Sequence, residues 1–115
     1  MYRFLIIEDE PDMAAELRGH LDRYAKAHGL DFDISWVRTA FEFVESKVKY
    51  DLVFMDIGLP GIDGMEAAQL LRAYDDETLI IFVTNLSQYA VKGYEVGALD
   101  FVVKPVSYHN LAMRL

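Results

Sequence analysis

Two hydrophobic periods alternate along this chain from its first residues to its last, and that alternation leaves few folds open to it. FLII (Phe4 to Ile7), FDISWV (Phe32 to Val37), LVFM (Leu52 to Met55), LIIFV (Leu79 to Val83) and FVV (Phe101 to Val103) read as strands, being short, apolar and rich in β-branched or aromatic residues. Three of the five are apolar almost throughout, which suits a central parallel sheet covered on both faces by helices. The stretches between them repeat apolar residues every three or four positions. Met13, Ala14, Leu17, Leu21, Tyr24, Ala25 and His28 form one stripe behind Pro11, and Ala40, Phe41, Val44 and Val48 form a second. Met65, Ala67, Ala68 and Leu71 form a third behind a capping Asp63. Ala90 and Tyr94 mark a fourth, ended by Gly97, and a fifth helix begins after Pro105. Five strand–helix units in succession imply right-handed crossovers and a doubly wound α/β fold. The strand order that fits best is 2-1-3-4-5.

A length of 115 residues suits one domain, taken as residues 1–115, with no internal repeat, low-complexity tract or linker. The absence of cysteine rules out a disulfide framework and leans towards a reducing compartment, so a cytoplasmic location is expected. The opening MYRFLII meets Glu8 and Asp9 too soon for a signal peptide or a spanning helix, and no membrane partner is expected. Nineteen acidic against eleven basic residues give a formal charge of -8. Nucleic-acid phosphates would be repelled by such a surface, so no direct nucleic-acid binding is expected of this domain.

In an open α/β sheet, ligands gather beyond the carboxyl ends of the strands, where the strand order reverses. Glu8, Asp9 and Glu10 follow the first strand, Asp56 the third, Thr84 the fourth and Lys104 the fifth. With strands one and three adjacent, several carboxylates share a corner, and like charges about 4 Å apart repel by roughly 4 kcal/mol at an effective dielectric near 20. A cation relieves that repulsion, and oxygen ligands without His or Cys suit Mg²⁺, with Mn²⁺ as an alternative. A metal, a carboxylate nucleophile, a hydroxyl and a fixed ammonium together meet the needs of phosphoryl transfer to a carboxylate. Each residue alone has a plainer reading as a cap, a turn or a solvated strand end. What favours chemistry is that four separate strand ends supply compatible groups.

The segments LIIEDEPDM, LVFMDIGLPGIDGMEAAQLLR, IIFVTN and GALDFVVKP resemble, in order and spacing, the signature segments of response-regulator receiver domains of two-component systems. The resemblance implies that Asp56 is the phosphoacceptor and that Asp9 binds Mg²⁺ directly, with Glu8 acting mainly through water and the Gly58 carbonyl as a further ligand. It also implies that Thr84 and Lys104 turn towards the phosphoryl group, that the rotamer of Phe101 reports activation, and that the bond before Pro105 is cis. A sensor histidine kinase becomes the expected donor. The face made by helix 4, strand 5 and helix 5 becomes the expected homodimer surface. The stretch NLSQYAVKGYEVGALDFVVKPVS further resembles receivers of the LytTR class, whose output domain binds DNA. Asn85 departs from the small residue common after the threonine, which bears on phosphorylation kinetics.

Two enzymatic alternatives fit less well. A haloacid-dehalogenase-type hydrolase would carry an Asp two residues after its nucleophile, where this chain has Gly58, and no GxxxxGK[ST] motif exists for a P-loop. A receiver-like binding module that is never phosphorylated would be favoured by loss of Asp56, Thr84 or Lys104, and all three are present. The fifth helix would be short, with Leu111 and Leu115 on one stripe, below the ~12–15 residues at which isolated helices become stable. It is expected to be truncated and to lean on the domain, with an output domain downstream.

Overall fold

A computed structural model describes residues 1–46, 48–86 and 90–115. Its elements alternate as β1 (Tyr2–Ile7), α1 (Pro11–His28), β2 (Phe32–Val37), α2 (Ala40–Ser46), β3 (Leu52–Met55), α3 (Gly64–Arg72), β4 (Leu79–Thr84), α4 (Ala90–Glu95), β5 (Asp100–Val103) and α5 (Tyr108–Ala112). The five strands form one sheet in the order β2-β1-β3-β4-β5, with every neighbouring pair parallel. The expected doubly wound α/β architecture is therefore the observed one. β3 lies at the centre, and all four of its residues are buried, as its unbroken apolar sequence requires.

The pleat divides the core into two layers. Leu5, Ile7, Val53, Met55, Ile80 and Phe82 point to one face and pack with Ala40 and Phe43 of α2 and Met65, Ala68 and Leu71 of α3. Phe4, Ile6, Phe54, Ile81 and Val83 point to the other, against Ala14, Leu17 and Leu21 of α1 and Leu111 of α5. α1 ends where Gly29 adopts φ 64° and returns its N–H to the Ala25 carbonyl, a left-handed cap that glycine takes without steric penalty. Asp63 caps α3 by accepting from the Glu66 N–H at 2.8 Å, as its position predicts. Ser107 does the same for α5 by accepting from Asn110 N–H at 3.1 Å. No helix of the described residues is long and apolar enough to cross a membrane.

Three helical stripes differ from expectation. In α2 the buried aromatic is Phe43, whereas Phe41 is 57% exposed and Val48 lies beyond the helix on the surface. The segment AFEFV offers two overlapping apolar stripes, and Phe43 is the aromatic that packs with the sheet and α3. In α1 His28 is exposed, its ring stacked on Tyr24 at 4.0 Å between centroids. Tyr94 of α4 is also exposed. Ser87, Gln88 and Tyr89, part of the segment carrying the LytTR resemblance, lie outside the described residues, as does the Ala90 side chain.

Candidate functional site

Main-chain hydrogen bonds that run past the strand ends build the site. The Glu8 N–H reaches the Val37 carbonyl at 3.2 Å, the Asp56 N–H reaches Ile7 O at 3.1 Å, and the Lys104 N–H reaches Thr84 O at 2.9 Å. Each ladder is thus extended by one residue, and that residue carries the polar side chain. Because β1 separates β2 from β3, the carboxylates after β1 and β3 meet at the reversal of strand order.

One carboxylate oxygen from each of Glu8, Asp9 and Asp56 lies within 4.8 Å of the others. Glu8 and Asp56 are buried and Asp9 is half-buried. Lys104 bridges two of them, its ammonium donating to Glu8 Oε1 and, at 2.9 Å, to Asp56 Oδ2. The Gly58 N–H donates to the other Asp56 oxygen at 3.2 Å. One ammonium faces three carboxyl groups, and two like charges at this separation would repel by about 3 to 4 kcal/mol at an effective dielectric near 20. Burial pushes the Glu8 carboxyl above its usual range, and the Asp56 charge adds to that, outweighing the hydrogen bonds from Lys104 and from the Glu10 N–H. For Lys104, burial works against the charge, but hydrogen bonds to Glu8 and then Asp56 overcome it and raise the ammonium above its ordinary value.

The donor set fits a hard divalent cation. Three carboxylate oxygens converge with no His or Cys in the cluster among the described residues, and a single lysine ammonium is bonded to two of them. Thr84 is fully buried, and its hydroxyl oxygen accepts from the Leu86 N–H at 3.2 Å. Phe101 is half-buried, its ring 6.1 Å from that of Phe82. The Lys104–Pro105 bond is cis, as the resemblance implied.

Two further residues shape the corner, and the sequence reading passed over both. Gly64 opens α3 directly against the acceptor loop, where a Cβ would lie 2.1 Å from the Asp56 carbonyl oxygen. A glycine at the first turn of a helix, with no cap role because Asp63 already fills it, was the available signal. Trp36, read as an ordinary strand residue, donates its indole N–H to the Glu8 carbonyl at 2.8 Å.

A doubly wound parallel sheet with an acidic corner at its switch point, closed by a lysine just past the last strand, defines a class of α/β domains with a charged site at the carboxyl end of the sheet. Residues 4–115 match the response regulator receiver domain family, and the chain belongs to it. It is 34% identical over 114 residues to the positive alginate biosynthesis regulatory protein of Pseudomonas aeruginosa, covering 96% of this chain and 44% of that protein. It is 32% identical over 115 residues to the sensory transduction protein LytT of Bacillus subtilis, covering 100% of this chain and 47% of that protein. These relatives agree with the LytTR-class resemblance, and the chain spans a little under half of their length. Among solved structures, response regulator TrrA from Thermotoga maritima, in complex with Mg²⁺-BeF, superposes with a TM-score of 0.84 at 28% identity, covering 99% of this chain and 96% of that one.

Proposed function

We propose that Asp56 accepts a phosphoryl group from a sensor histidine kinase, and that the domain assists both the gain and the loss of that group. The observation that carries this reading is the Lys104 ammonium held against both Asp56 and Glu8, with Asp9 beside them. Asp9, Asp56 and the Gly58 carbonyl would hold Mg²⁺, with Glu8 acting mainly through water. The ion supplies neutralisation of the charge on the transferring group.

The remaining steps belong to the side chains. An ionised Asp56 oxygen attacks phosphorus as the bond from phosphorus to the kinase imidazole breaks, and the histidine nitrogen keeps the electron pair. The product is an acyl phosphate on Asp56. Lys104 stays charged and transfers its contact from carboxylate to phosphoryl oxygen, while Thr84 exchanges its bond with the Leu86 N–H for donation to another phosphoryl oxygen. Loss of the group reverses the bookkeeping of bonds, with water oxygen attacking phosphorus and the carboxylate leaving.

A phosphoryl group adds about -1.5 to -2 of charge at neutral pH. Drawing Thr84 and Lys104 towards it frees space beside β4 for Phe101 to turn inward, which alters the face formed by α4, β5 and α5. That face serves as a homodimer surface and passes the signal to a DNA-binding output domain of the LytTR kind.

Incubation with acetyl phosphate and Mg²⁺ should add one base-labile phosphoryl group by intact-mass spectrometry. Asp56→Asn should add none, and Lys104→Ala should lose the spread of amide shifts from Thr84 to Val106 that beryllofluoride produces. Equal labelling of the Asn variant would remove Asp56 from the role.

A further inference from the structure

The backbone of Glu8 is gripped on both sides by consecutive residues of β2. Its N–H donates to the Val37 carbonyl at 3.2 Å, and its carbonyl accepts the Trp36 indole N–H at 2.8 Å. The Glu8 carbonyl belongs to the peptide plane that also contains the nitrogen and Cα of Asp9. Fixing that oxygen therefore fixes the direction in which the chain leaves Glu8 and the point from which the Asp9 carboxylate is projected. Nothing else among the described residues is shown donating to this carbonyl.

Strand register explains how the indole reaches it. Trp36 lies opposite Ile6 in the β1–β2 ladder, so its side chain rises on the same face as Ile6 and can pass the end of β1 to the residue beyond Ile7. Trp36 is only partly covered, 37% exposed, and the Arg38 guanidinium lies over its ring, 5.2 Å from the centroid. An aromatic so placed on an edge strand adds little to the core. Its one directional attachment among the described residues is the hydrogen bond to Glu8.

We propose that Trp36 is a positioning residue for the divalent cation: its indole N–H locks the Glu8–Asp9 peptide so that the two carboxylates face Asp56 before the ion arrives. The inference rests on the metal-binding reading of the acidic corner. Partners that orient metal ligands without touching the ion change affinity by about 10- to 100-fold when removed. Trp36→Phe keeps a ring of similar shape and deletes the donor, and its Mg²⁺ affinity should fall by about tenfold.

The test is a MgCl₂ titration of ¹⁵N-labelled protein, following the amides of Asp9 and Asp56 together with the indole N–H. Trp36 is the chain's one tryptophan, so its indole signal is unambiguous. The wild-type indole resonance should shift with the same midpoint as the Asp9 and Asp56 amides, and the midpoint for Trp36→Phe should move to about tenfold higher Mg²⁺. An unchanged midpoint in a folded Trp36→Phe overturns the proposal while leaving the metal site intact. If that variant does not fold, the wild-type titration decides, since an indole resonance that stays still while Asp9 and Asp56 move overturns it equally. A wild-type chain whose Asp9 and Asp56 amides ignore Mg²⁺ removes the metal-binding reading itself, and this one with it.

Discussion

Asp56 and Asp75 are equally buried, at 7% exposure each, yet they sit at opposite ends of the sheet and among different partners. Asp75, in the turn before β4, is saturated by its own neighbours. It accepts from the Glu77 N–H at 2.8 Å, the Thr78 N–H at 3.0 Å and the Thr78 hydroxyl at 2.6 Å. Those bonds, the Thr78 hydroxyl foremost, hold its carboxyl down at about 2. Asp56 has one backbone donor, shares one lysine with Glu8, and faces two further carboxylates. A carboxylate whose lone pairs are filled by its own turn is a structural pin. One held among like charges, with an ammonium it shares with a second carboxylate, keeps lone pairs that its own turn does not fill.

The largest effect that would separate the two ends is steric. Gly64→Ala drives a Cβ into the Asp56 carbonyl, which cannot yield without moving α3, and it should lower stability by about 3 kcal/mol. Gly58→Ala meets only the Leu86 Cδ1 at 3.4 Å and should change stability by less than ~0.5 kcal/mol. Urea denaturation of both variants measures the contrast. Comparable losses would mean that the close approach at Gly64 is readily relaxed.

Next in size is the pin itself. Asp75→Ala strands two backbone N–H groups and should cost about 2 kcal/mol, read as a drop in thermal midpoint near pH 7. Because the folded carboxyl titrates at about 2 and the ordinary value is 3.8, the unfolded chain takes up the proton first as pH falls. The stabilisation is complete above about pH 4 and disappears as pH drops through about 2. The gap between wild type and Asp75→Ala should therefore narrow over that window, and a gap independent of pH would break the assignment.

A smaller effect at the acidic corner has the opposite sign. Asp56→Asn removes one of three crowded negative charges while leaving an acceptor for Lys104, and should raise stability by about 1 kcal/mol without divalent cation. Added Mg²⁺ should stabilise the wild type by mass action and reverse the order. Differential scanning calorimetry with and without Mg²⁺ checks this. If Asp56→Asn is destabilising in chelator, the crowding at the corner is already relieved by other means.

Much of this molecule is legible along the chain because its determinants are local. Apolar runs such as LVFM and helical stripes such as Ala14, Leu17 and Leu21 state their period within a few residues, and five alternations leave one architecture with helices on both faces. The polar residues after Ile7, Met55, Val83 and Val103 could then be assigned to one end of the sheet, because parallel strands all point the same way. Local period could not choose between Phe41 and Phe43, since both stripes are apolar and only the packing of α2 into the core covers one of them. Asp75 was passed over because its meaning lies in a turn geometry that composition does not reveal. The joining of Lys104 to Glu8 across 96 residues, and of Trp36 to Glu8 across 28, was likewise beyond the sequence, because such bonds depend on side-chain reach and register after the sheet has formed. Residue type and period determined which groups stand at the strand ends. Their orientation into one charged cluster was decided by tertiary packing, which alone sets the few ångströms over which hydrogen bonds and charge repulsion act.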